Sequence, residues 1–253
     1  MNRSLSSKGK LERLLESLAA DETVEKKDGI LSLILLFAYA LCMWLELTII
    51  PRNQYYIYIQ IAVQIVWLCV IIIILRLRKQ KLYSVGLRAE IIPIAMILLI
   101  TGISIVYSVI RFDTEYIGRW LFYLIAVGGM EEILFRGYVY TRAFKLTGRH
   151  WATLLITGIL FGAFHHLDPM ILNGVPWQGV FSGLGMGIVA NLMFLSVYAL
   201  TGNILNAIIL HAAMDYSKYI PWIIVVGVLY VAALIFFRLR TLRTHKNPPH
   251  SGE

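Results

Sequence analysis

Few strongly polar side chains interrupt the apolar stretches of this sequence, and they are of the types that do acid–base chemistry. They are Glu46, Glu131, Glu132, Arg136, His165, His166, Asn191, His211 and Asp215, with Asp168 at the rim of one stretch. A charged group at the centre of an apolar membrane helix costs roughly 2.5–3.5 kcal/mol on insertion scales, so each needs a reason to be there. Glu46 lies near the outer end of its stretch, where a long side chain can reach water. Asn191 is a single amide in a Gly-rich run and reads as an interhelical hydrogen bond.

The segment Glu131-Glu132-Ile-Leu-Phe-Arg136 is different. Adjacent carboxylates repel unless one is neutralised. At 100° per residue, Glu132 and Arg136 are i and i+4 on one helix face and can pair. Glu131 then lies about 140° away from Arg136 and has no partner within its own helix. A buried carboxylate without a cation tends toward protonation, which suits it for general acid or base work. His165 and His166 end the next apolar run, and His211 and Asp215 are again i and i+4 on one face. Thr147-Gly148 reads as the turn between the first two of these segments. Glu131 lies 17 residues before Gly148 and His165 lies 17 after it. An antiparallel hairpin therefore puts both at one depth, about 25 Å from the turn at 1.5 Å per residue. His166 is the rival to His165, because depth cannot separate neighbours.

Glu131, His165, His211 and Asp215 make an acid–base set on three segments. The sequence has no Gly-x-Ser-x-Gly elbow, His-Glu-x-x-His motif or P-loop. What remains is a water-activating site able to hydrolyse an amide. Two imidazoles and two carboxylates (Glu131, His165, His211, Asp215) also match the ligand preferences of a divalent metal such as Zn²⁺.

The elements that must position this set are membrane helices. Of 253 residues, 58% are hydrophobic and 15% charged, against roughly 25% charged in soluble domains. This composition excludes a disordered chain, a coiled coil, a disulfide scaffold and an ordinary soluble enzyme. Apolar runs at 30–50, 55–75, 91–110, 117–135, 151–166, 179–200, 203–217 and 219–237 predict an all-α, polytopic bundle of about eight helices. The boundary at Thr201-Gly202-Asn203 reads as either a loop or a buried break. Lys and Arg concentrate in the N-terminal tail, 76–90, 136–149 and the C-terminal tail. The positive-inside rule then places both termini in the cytoplasm and the chain in the cell membrane. On this reading the net charge of +8 reflects cytoplasmic loops and not nucleic-acid binding.

Residues 1–29 form a tail, 30–237 the bundle and 238–253 a basic tail. The first 29 residues lack an apolar h-region, which argues against a cleavable signal peptide. Leu11, Leu14, Leu15 and Leu18 form one face of an amphipathic helix, suited to the membrane surface or to packing on the bundle. Cys42 and Cys69, both inside apolar runs, read as small core residues.

Three patterns in order, Glu-Glu-x-x-x-Arg at 131–136, Phe-x-x-x-His at 161–165 and His-x-x-x-Asp at 211–215, resemble the CPBP (CAAX protease and bacteriocin-processing, or Abi) family of intramembrane proteases. The Gly-rich run from Phe181 through Gly183, Gly185 and Gly187 is similar to that family's small-residue motif. The resemblance covers about 115–220. It implies an eight-helix bundle with an intramembrane cavity that opens toward the cytosol. It also implies that Glu131 activates the water, that Glu132 and Arg136 support it, and that His165 and His211 complete the site. Asp215 stands where the eukaryotic CAAX prenyl endopeptidase has Asn. An ionised Asp cannot donate to an oxyanion, so orienting His211, holding water or favouring a metal are the roles open to it. The family carries a metalloprotease designation, and a metal-free glutamate mechanism is also proposed for it.

The function this implies is peptide-bond hydrolysis at or near the bilayer, an EC 3.4 activity. The substrate would be a peptide or membrane protein, lipidated or not, with membrane lipids as the surroundings. The alternatives are a non-catalytic immunity or regulatory membrane protein of the same fold and, less favoured for want of an internal repeat, a proton-coupled transporter.

Overall fold

In the computed structural model of the chain, residues 14, 15, 18, 23–51, 55–173 and 176–244 are described, the side chains of 166–173, 177, 178, 180 and 241–244 excepted. These residues form an all-helical bundle without a strand. In chain order the helices are α1 (Lys26–Ile49), α2 (Tyr56–Leu77), α3 (Ile91–Arg111), α4 (115–147), α5 (His150–Asn173), α6 (Trp177–Thr201), α7 (Ile204–Tyr216) and α8 (Ile223–Thr244). Among the described residues, five stretches are long and apolar enough to cross a membrane: Lys26–Ile49, Tyr56–Leu77, Ile91–Arg111, Phe181–Thr201 and Ile223–Arg240. His150–His165 and Ile204–Tyr216 are shorter apolar helices. Large apolar side chains such as Phe37, Val66, Leu98 and Phe236 point outward from the bundle, as a lipid-facing surface requires.

Helix boundaries follow local chemistry. α1 starts earlier than hydropathy predicts, because Asp28 in its first turn accepts a 2.8 Å hydrogen bond from the Glu25 amide and so caps it. α4 runs twelve residues past 135 and stops only at Gly148, which has φ +61°. α5 continues to Asn173 through a segment whose sequence predicts a loop. The described residues of the N-terminal tail, Leu14, Leu15 and Leu18, are helical and pack on the main core. That favours the bundle over the membrane surface; Leu11 lies outside the described residues.

α4 departs most from expectation. Phe122–Gly129 and Glu132–Tyr140 are wound as π-helix, flanking Glu131 on both sides. The Met130 amide, for example, bonds to the Ile125 carbonyl, five residues back. Such winding is rare and concentrates at functional sites. It widens the helix, so the 100° step does not describe the angular positions around Glu131.

One end of the bundle is tied by polar links between the start of α1, the α2–α3 connection, the end of α4, the α6–α7 break and α8. Arg78 Nε meets Asp28 Oδ1 at 2.6 Å. Arg142 Nη2 donates to Gln80 Oε1 at 2.6 Å and to Ser84 at 3.1 Å. Asn203 Nδ2 donates to the Arg88 carbonyl at 2.9 Å, and Arg238 Nη1 to the Thr201 carbonyl at 2.5 Å. Thr201, Gly202 and Asn203 are buried, so this boundary is the sunken break, with Gly202 at φ +73° and the Asn203 side chain capping α7. At the other end, Trp222 Nε1 donates to Tyr107 and the Tyr216 hydroxyl to the Tyr116 carbonyl. The start of α1 and the end of α8 therefore share one end.

Candidate active site

Three close helix approaches bring the polar residues together. A Cβ on Gly187 of α6 would lie 2.3 Å from Gly162 Cα on α5, and one on Gly158 would lie 2.9 Å from Ile188 Cα. The Gly run thus lets α5 and α6 meet backbone to backbone. A Cβ on Gly128 of α4 would lie 2.9 Å from the Ile208 carbonyl of α7. That contact brings α7 against α4 and seats His211 beside Glu132.

Glu132 and Arg136 are fully buried. Glu132 Oε1 accepts from Arg136 Nη1 at 3.0 Å and lies 2.7 Å from His211 Nδ1. Arg136 also stacks on aromatic faces, with its guanidinium 3.9 Å from the Phe161 ring centre and 5.2 Å from that of Phe194. These contacts offset part of the cost of burying the pair. The i, i+4 pair predicted from sequence is present. A residue 79 positions away shares its carboxylate.

His211 is held from two sides. Phe194 stacks on its ring at 4.5 Å, and ionised Glu132 can only accept, so Nδ1 carries the proton. Nε2 is left facing Glu131 Oε2 at 3.9 Å and Asp215 Oδ2 at 3.8 Å. Glu132, not Asp215, is therefore the close partner that orients His211. On α5, His165 Nδ1 lies 3.0 Å from the Phe161 carbonyl. A carbonyl only accepts, so here too Nδ1 donates and Nε2 is directed at Glu131 Oε2, 3.3 Å away. The equal-depth argument from the Gly148 turn is realised in that contact. The side chain of His166, the rival, lies outside the described residues.

Glu131 Oε2 and ring nitrogens of His165 and His211 all lie within 4.8 Å of one another. Ligands of a tetrahedral ion at 2.0–2.2 Å would be spaced by about 3.4 Å, close to the separations found. Each ring is also fixed from behind at Nδ1, the second-shell pattern of metal-ligating histidines. These three residues therefore fit a divalent metal, with a fourth position open to water. Asp215 stands outside this compact group, on the cavity wall.

The cavity has a volume of about 390 Å³, with Glu131, His165 and Asp215 in its lining. Tyr39, Gln60, Gln64 and Lys218 also line it. Tyr39 donates to Gln64 Oε1 at 2.9 Å. Sequence reasoning passed over these residues, although Gln64 is an amide inside an apolar run and carried the same signal as Asn191. Phe194 gave no signal, being one aromatic among many. Asn191 itself donates to the Leu154 carbonyl and to Thr157 Oγ1, both at 3.0 Å, and joins α6 to α5 as expected. Glu46 does not reach water; it is buried within the bundle.

Every lining residue comes from the half of its helix that lies away from the polar links at the start of α1 and the end of α8. These are the C-terminal halves of α1 and α5, the N-terminal halves of α2 and α4, and the end of α7 with Lys218. Toward the opposite end, Glu132, Phe135, Arg136, Val139, Tyr140 and Ile204 are all fully buried, the four apolar ones in one core. The cavity lining and the two basic helix ends, the start of α1 and the end of α8, thus lie in opposite halves of the fold.

Residues 113–217 match the family of type II CAAX prenyl endopeptidases, Rce1-like. The match is consistent with the CPBP/CAAX protease family and covers α4 through α7, the helices that carry Glu131, Glu132, Arg136, His165, His211 and Asp215. α1 and α2, which supply the other cavity wall, lie outside it. No curated protein and no solved structure matches the chain. Over these residues the chain is similar to a family of membrane-embedded proteases.

Proposed function

We propose that the chain is an intramembrane endopeptidase in which Glu131 activates a water for attack on a scissile peptide carbonyl. The observation that carries this reading is the convergence of Glu131 Oε2 with ring nitrogens of His165 and His211 on a cavity lined by Gln60, Gln64 and Asp215. Burying these groups in an apolar bundle is costly unless they work. Glu131 accepts one proton of the water, and His211 Nε2, its ring locked by Glu132 and Phe194, accepts a hydrogen bond from the other O–H. The water oxygen bonds to the carbonyl carbon, and the developing oxyanion takes a hydrogen bond from protonated His165. The C–N bond then breaks as the proton on Glu131 passes to the leaving amine. Asp215, an acceptor when ionised, holds water at the cavity wall.

If a divalent metal such as Zn²⁺ is bound, Glu131, His165 and His211 are its ligands, and it would lower the pKa of the attacking water. The substrate class is a peptide or membrane-protein segment. The family's prenylated substrates are one subset of it.

The test is a comparison of new peptide termini in membranes that carry wild type or Glu131→Gln at matched protein level. Termini present only with wild type support the assignment. Normal cleavage by Glu131→Gln would remove Glu131 from the mechanism. No wild-type termini in the native host would favour a regulatory or immunity role for the same fold.

A further inference from the structure

We infer that the cavity is served from the extracytoplasmic side, so that its substrate is a polypeptide segment presented there: an exported peptide or the outer juxtamembrane stretch of a membrane-anchored protein. The substrate half rests on the hydrolase reading above; the topology half does not.

The first observation is the direction of the cavity. Its lining descends from the bundle end that holds the α1–α2, α3–α4, α5–α6 and α7–α8 connections, through Phe122, Ala126 and Val127 to Glu131 on α4. Below Glu131, Phe135, Val139, Tyr140 and Ile204 are fully buried in one apolar core, and none of the residues from Glu132 to Tyr140 lines the cavity.

The second observation is charge. Of the 23 Lys and Arg residues, only Arg111, Arg119 and Lys218 stand at described connections and helix ends on the cavity side, and Arg52, which falls between α1 and α2 in sequence, lies outside the described residues. Arg119 is offset by Glu115, 2.8 Å away, and Asp113 stands beside Arg111. Arg136 and Arg142 are buried and do not count toward a loop. The N-terminal tail, 76–90, Lys145 with Arg149, and the C-terminal tail hold the rest, and the structure gathers the described parts of these segments at the opposite end. Short loops so strongly biased in Lys and Arg stay in the cytoplasm.

Together these observations turn the cavity outward. A prenylated Cys-a-a-X tail on the cytoplasmic leaflet would meet the packed layer and not Glu131. The cavity wall suits a segment arriving from the outer aqueous side. Gln60 and Gln64 offer amide donors and acceptors to an extended backbone, and Lys218 and Asp215 keep the mouth hydrated.

The experiment uses the full chain with Cys42 and Cys69 changed to Ala, carrying one new cysteine. Spheroplasts are treated with a membrane-impermeant maleimide before and after permeabilisation. Lys218→Cys and Gln60→Cys test the cavity, and Phe112→Cys tests the α3–α4 connection beside it. Arg149→Cys tests the basic end. Labelling of the first three in intact spheroplasts, with Arg149→Cys labelled only after permeabilisation, is the expected result; the reverse pattern overturns the proposal. Two cavity-side positions outside the compact site guard against the loss of any one variant to misfolding.

The wild-type-only termini then test the substrate. Their location on extracytoplasmic segments supports it, and their confinement to cytoplasmic tails overturns it. Outward labelling with no new termini sinks the hydrolase reading, and the substrate with it, but leaves the topology standing.

Discussion

Removing the Glu132 carboxylate should damage folding more than removing the Glu131 carboxylate beside it. Glu132 is fully buried and is the 3.0 Å partner of Arg136, itself fully buried, and the 2.7 Å partner of His211. Glu132→Ala leaves a guanidinium among Phe135, Phe161 and Phe194 with aromatic faces and no anion from Glu132. Breaking a buried pair in this way costs about 3–5 kcal/mol, or two to three and a half orders of magnitude in the folded-to-unfolded ratio at about 1.4 kcal/mol per tenfold. Glu131 faces the cavity, where water can take its place, so Glu131→Ala should cost about 1 kcal/mol or less. The assay is equilibrium unfolding in mixed detergent micelles, with folded fraction read by circular dichroism. The double variant Glu132→Ala/Arg136→Met removes both charges and should recover at least about 1.5 kcal/mol relative to the sum of the singles. Equal stabilities for Glu132→Ala and Glu131→Ala, or additive behaviour in the double variant, would refute the claim that Glu132 and Arg136 stabilise the bundle as a buried pair.

Glu131→Gln should lower cleavage by about 10²–10⁴-fold with little change in the unfolding curve; a turnover assay on a cleaved peptide, once one is identified, checks this. Gly187→Leu forces side-chain carbon into the space where a Cβ already lies 2.3 Å from Gly162 Cα. It should cost at least about 1–3 kcal/mol, seen as a lower unfolding midpoint, whereas Gly185→Ala, where a Cβ meets nothing within 4 Å, should be nearly neutral. Asn191→Leu removes the hydrogen bonds to Leu154 and Thr157 and should cost about 0.6–1.7 kcal/mol, measured by the same unfolding assay.

Much of the site was legible in the sequence because a membrane makes polar residues conspicuous. Eight apolar runs mark eight helices, since 20 or so residues in lipid can satisfy their backbone only as a helix. Glu131, Glu132, Arg136, His165 and His211 stood out by the same logic, and the equal spacing of Glu131 and His165 about Gly148 anticipated their contact. The i, i+4 pairing of Glu132 with Arg136 is local, so spacing alone sufficed for it.

Tertiary structure decided what depends on helices meeting. That Glu132 rather than Asp215 orients His211 follows from the Gly128 approach of α4 to α7, and no periodicity within either helix encodes it. The π-winding of α4 and the burial of the break at Gly202 appear only in the assembled fold. So does the direction of the cavity. The sequence placed the basic loops on one side of the membrane, but the side from which Glu131 is reached depends on which end of the bundle is filled. Phe135, Val139, Tyr140 and Ile204 are fully buried in one core from two helices, and only the assembled core brings them together.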